Sequence, residues 1–125
     1  MIWLAVALAG ALGATARYLA DHLVSVRLPG VLPWGTFLIN VSGSFLAGIV
    51  TVLTAEQVLS PEVSRVVAGG FLGAYTTFST AMYESVRLLE DGARRQAVTN
   101  LALPLVSAVG AAALGWQLGA LLLPR

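Results

Sequence analysis

The sequence predicts an all-α membrane protein of four transmembrane helices, the third broken near its middle. Three observations carry this. The 125 residues are 58% hydrophobic and only 10% charged, with a mean hydropathy of +0.85, whereas a soluble domain carries roughly 25% charged residues. The apolar residues fall into four long runs, each near the roughly 20 residues that cross a hydrocarbon core. The third run is interrupted by Gly73-Ala-Tyr-Thr-Thr-Phe-Ser-Thr80, in which five of eight residues are glycine, serine or threonine.

The first span covers about residues 1–24. It has small residues near Ala14 and Ala16, as a cleaved leader would, but no basic residue precedes its apolar run, so it reads as a retained helix. Leu28-Pro-Gly-Val-Leu-Pro33 is a turn-rich break. The second span covers about 34–54, and Ser60-Pro61-Glu62 offers an N-cap and first turn for the third, at about 65–89. Glu90-Asp-Gly-Ala-Arg-Arg95 forms a charged turn before the fourth, at about 97–123. These spans make residues 1–125 a single transmembrane domain with nothing left for a soluble one.

Composition excludes several functions. The formal charge is +1, which gives no electrostatic case for nucleic acid. There is no cysteine and a single histidine, His22, so thiolate and clustered-histidine metal sites are absent. No nucleophile–base pair or phosphate loop stands out, so no enzyme is expected. All seven basic residues are arginine. Arg65 and Arg125 lie on one side of the predicted membrane, Arg27, Arg94 and Arg95 on the other with Arg87 at its edge. The second side is the expected cytoplasmic one, but so small a bias suits a chain that inserts either way. Glycines and alanines recur along every span, which permits close helix approach. A chain of four helices hardly encloses a pore alone, so at least a dimer is expected.

Polar groups inside the spans need partners or a wet path. Arg17 and Asp21 stand at i and i+4 and can pair on one helix face. Arg17 reads equally as an anchor that snorkels to the surface or as a group that attracts anions. Asn40, taken alone, is a helix-to-helix hydrogen bonder. Thr36, Ser42 and Ser44 can satisfy themselves on a preceding carbonyl. The Thr76-Thr77-Phe78-Ser79-Thr80 run combines β-branching with competing hydroxyls beside Gly73, which favours an unwound helix. Such backbone survives at membrane depth only when buried in protein or lining a polar cavity. Its freed carbonyls suit a hard cation such as Na⁺, and its N–H and hydroxyl donors, with the positive edge of the Phe78 ring, suit an anion.

Three blocks together, GALGATARY, GTFLINVSGSF and GFLGAYTTFST, resemble the signature blocks of the Fluc/CrcB family of fluoride channels. The likeness extends over the whole chain, though the fourth span matches only in length and hydropathy. The resemblance implies an antiparallel, dual-topology dimer with two pores in the microbial inner (plasma) membrane, passing toxic fluoride passively out of the cytoplasm. It implies that Asn40, Phe78, Ser79, Thr80 and Glu84 line the fluoride pore. Arg17 matches the family's first-helix arginine. Gly73 and Thr76 match positions whose carbonyls hold a structural Na⁺ at the dimer interface. The chain departs from the family pattern at Ala81, where a second phenylalanine is usual, and at Asn100 and Pro104, where a tyrosine and a serine are usual. Ala108 and Ala112 stand where further hydroxyls are expected. These departures favour a heterodimer with a paralogous partner over a homodimer. Two alternatives stay open: a small four-helix multidrug/proton antiporter, which requires an embedded carboxylate and finds only Asp21 and Glu84, and a non-conducting structural subunit.

Overall fold

The computed structural model describes residues 1–123; Arg125, counted above in the charge balance, lies outside the described residues. Every regular element among them is helical: α1 (Ile2–Arg27), α2 (Trp34–Ala55), a segmented stretch from Pro61 to Glu90, and α6 (Arg94–Leu121). α1, α2 and α6 are long and apolar enough to cross a membrane. The segmented stretch consists of α3 (Pro61–Ser64), a π-helical piece (Arg65–Leu72), α4 (Gly73–Tyr75) and α5 (Phe78–Glu90).

Each boundary has a local cause. Leu28 to Pro33 separates α1 from α2, where prolines 29 and 33 lack the N–H that a helical ladder needs and Gly30 disfavours helix. Ser60 caps α3 by accepting the Val63 N–H at 3.3 Å, with Pro61 at the first helical position. Gly92, at φ +75°, turns the chain into α6. α6 then runs unbroken through the buried Pro104.

The core lies mainly between α2 and α6, with Ile39 and Val52 wholly buried. Gly48 and Gly115 bring these two backbones together: a Cβ on Gly48 would overlap the Ala112 carbonyl oxygen, and one on Gly115 the Phe45 carbonyl oxygen. Without a hydrophobic drive between helices in lipid, such close packing supplies the association energy. α1 lies against the π-helical piece and α4, and α5 lies against α6. The π-helical geometry, with the Gly73 N–H reaching the Ala68 carbonyl, is not foreseen by the sequence pattern. Its Phe71 carbonyl occupies the space that a side chain at Gly13 would need.

Candidate functional site

The break falls at Thr76 and Thr77, both extended (φ −80°, ψ 159° and φ −151°, ψ 122°). Asn40 holds it open. Its Oδ1 accepts the Thr77 N–H at 2.8 Å and its Nδ2 donates to the Thr77 carbonyl at 2.8 Å. One amide thus replaces both hydrogen bonds that a strand neighbour or helix turn would give Thr77. The Thr77 N–H therefore does not reach back to the Gly73 carbonyl, which it would pair in a continuous helix.

Thr77 also starts α5: its Oγ1 accepts the Thr80 N–H at 3.2 Å and stands 2.9 Å from Thr80 Oγ1 and 3.4 Å from Ser79 Oγ. Three hydroxyls are thereby gathered at the N-terminal, positive end of a 13-residue helix. Phe78 projects from this first turn and is 74% exposed. On the other side of the break, α4 ends in carbonyls. Thr76 O accepts from Arg17 Nη1 at 3.5 Å. Tyr75 stacks on Phe71 and its hydroxyl lies 3.1 Å from Ser42 Oγ. Gly43 makes room for the crossing, since a Cβ there would overlap the Thr76 side chain.

A groove of about 360 Å³ runs along this site, bordered by Asn40 and Ser44 of α2, Gly73, Thr76, Thr77 and Phe78 of the break, and Asn100 and Pro104 of α6. The groove thus joins Asn40, Gly73, Thr76 and Phe78, while Ser79 and Thr80 are exposed beside it on the first turn of α5 and do not border it. Glu84 does not border the groove. Its Oε1 accepts from Thr36 Oγ1 at 2.7 Å, and it faces a second cavity of about 460 Å³ with Arg87 and Asp91. Thr36 therefore does not satisfy itself on its own helix, as its sequence context led us to expect. Arg17 and Asp21 do not use their i, i+4 spacing either: no ion pair joins them among the described residues, Arg17 turns to Thr76, and Asp21 lies against Gly35. Nothing in the sequence sets Thr77, the residue at the centre of the hydrogen bonding, apart from the rest of its Ser/Thr run. The glycine-led turn before that run was the available signal.

Replacing Asn40 by leucine leaves the Thr77 N–H and carbonyl without their partner. A buried unsatisfied group costs about 1–3 kcal/mol, so thermal unfolding in detergent is expected to show a clearly lowered midpoint for Asn40→Leu.

Residues 4–116 match the family described as CrcB-like protein, Camphor Resistance (CrcB). The chain is 46% identical over 121 residues to a protein of Leifsonia xyli subsp. xyli named fluoride-specific ion channel FluC 1, covering 97% of this chain and 88% of that one. It is 45% identical over 120 residues to the fluoride-specific ion channel FluC of Acidobacterium capsulatum, covering 95% and 96%. It is 38% identical over 119 residues to the fluoride-specific ion channel FluC 2 of Clostridium acetobutylicum, covering 95% of each. With three helices suited to crossing a membrane and a profile match over nearly its whole length, this multi-pass membrane protein belongs to the CrcB family.

Proposed function

We propose that the chain is a subunit of a fluoride-selective channel that lets fluoride leave the cytoplasm passively. The observation that carries this reading is the break at Thr76–Thr77, which sets an acceptor-rich helix end beside a donor-rich one. Broken helices in membranes use such paired ends to hold ions of opposite sign. In this reading the Asn40 side of the groove, the Phe78 ring edge and the Ser79 and Thr80 hydroxyls replace part of fluoride's hydration shell. Small bore and close donors then select fluoride over the larger chloride with no energy source. Glu84, set apart with Thr36, would act at the mouth of the path rather than along it.

The segmented stretch from Pro61 to Glu90 would make the fourth crossing, and two chains in antiparallel, dual topology would build the pores. A structural Na⁺ at their interface would be held by the carbonyls of Gly73 and Thr76. The Gly73 carbonyl fits such an ion, being released from its helical donor, whereas the Thr76 carbonyl would have to exchange the Arg17 guanidinium for it. The ion would supply a fixed positive charge that ties the two breaks together.

Ala81, Asn100 and Pro104 support a paralogous partner over a second identical chain. Relatives named FluC 1 and FluC 2 suit that pairing. The test is growth of a bacterium stripped of its own fluoride exporters. Expression of this chain, alone or with the product of a sibling gene, is expected to restore growth on fluoride. Failure in both settings, with the protein present in the membrane, would contradict the channel reading and favour the structural subunit.

A further inference from the structure

The Phe78 ring is 74% exposed, so side-chain packing within the chain does little to fix it. Within the chain, its position is set by the backbone of its turn. That backbone is held on the N-terminal side by Asn40, through both main-chain groups of Thr77. On the C-terminal side a second amide does the same work. Asn100, 5% exposed, donates from Nδ2 to the Ala81 carbonyl at 3.2 Å and to Ser85 Oγ at 2.9 Å. Ser85 Oγ in turn donates to the Ala81 carbonyl at 2.7 Å. Amide, hydroxyl and carbonyl form a closed triangle of buried groups tying α5 to α6.

We infer that Asn100 is a positioning residue: with Asn40 it brackets the Phe78 turn and sets the angle at which the ring meets the groove. Both N–H bonds of its amide are committed to Ala81 and Ser85, so Asn100 has no donor left for an anion. Its effect on an ion passes through the α5 groups it holds. Pro104 makes the tether matter more, because it lacks the N–H that would pair the Asn100 carbonyl and so loosens α6 at this level. Ala81 fits the same scheme. Its small side chain is buried against α6, and its carbonyl can receive two extra donors without a ring in the way. This chain therefore fixes the Phe78 turn by backbone tethers. The consequence for ion flow rests on the channel reading above; the tether itself does not.

The test uses Asn100→Leu, of similar volume but without donors, in the full-length protein reconstituted in lipid. Amide hydrogen exchange is read first. Loss of two buried hydrogen bonds is expected to speed exchange across residues 78–85 by on the order of tenfold, with α2 between Gly43 and Ile49 unchanged. Fluoride-to-chloride selectivity is read second and is expected to fall; a merely structural role would lower the yield of folded protein without moving this ratio. Unchanged exchange in Asn100→Leu would overturn the inference. So would faster exchange with unaltered selectivity in a conducting protein. If the wild-type protein passes no fluoride either alone or with a sibling chain, the channel reading fails, and exchange alone decides whether the tether exists. Should Asn100→Leu not fold, Ser85→Ala removes one side of the triangle. It is expected to speed exchange over the same residues about threefold, and no change would again overturn the inference.

Discussion

Phe78→Ile is expected to cut fluoride efflux by more than tenfold while leaving the fold intact. The ring stands on the first turn of α5, above three gathered hydroxyls and beside the Asn40–Thr77 clamp. Isoleucine keeps much of the volume and apolar character but has no quadrupole. The positive ring edge that would face the anion is lost with the ring, and losing about 1.4 kcal/mol of such stabilisation is already a tenfold change in rate. Because the ring is 74% exposed in the chain, its loss leaves the core untouched. The expected outcome is a protein that unfolds as the wild type does but no longer empties liposomes of fluoride. Unaltered efflux would mean that the ring faces lipid or protein and not the ion.

Gly115→Leu is expected to have the largest effect on stability. α2 and α6 form the most extensive helix pair, and each gives up a side chain where the other's carbonyl arrives: Gly48 meets Ala112, and Gly115 meets Phe45. A leucine at 115 forces the backbones apart. Overpacking a tight core typically costs about 1–3 kcal/mol, and occasionally more; this site belongs at the upper end because the opposing atoms are backbone and cannot rotate away. The same displacement would separate Asn40 on α2 from the tether on α6, so efflux should fall with the melting point. Gly110→Ala is the control, since a Cβ there meets nothing within 4 Å in the chain. It is expected to hold or slightly raise stability, by the roughly 1 kcal/mol helix preference of alanine over glycine at most.

Much of this architecture is legible in the sequence, for physical reasons that are easy to name. Long apolar runs define α1, α2 and α6 because a bilayer tolerates little else. The break is legible because Gly73 and the Thr-Thr-Phe-Ser-Thr run weaken the helix locally, whatever surrounds them. The partners of polar groups are less legible. The i, i+4 spacing of Arg17 and Asp21 describes neighbours on an isolated helix, whereas in the fold an unpaired carbonyl at Thr76 competes for the guanidinium. Thr36 could have bonded its own helix, yet Glu84 stands 2.7 Å away. The π-helical piece depends on how Gly70 and Phe71 meet α1, a tertiary contact with no local signature. Asn100 stands out in the sequence as a polar residue in an apolar span, but its two acceptors lie 15 and 19 residues away in sequence, on another helix.

In the proposed channel the polar break carries fluoride. The most direct test is ion efflux from liposomes holding the purified chain, with a sibling chain added in a parallel preparation, read with fluoride- and chloride-selective electrodes. Rapid fluoride efflux is expected, in one preparation or both, with chloride retained. Equal release of both ions, or retention of both by well-folded protein in both preparations, would contradict the channel reading.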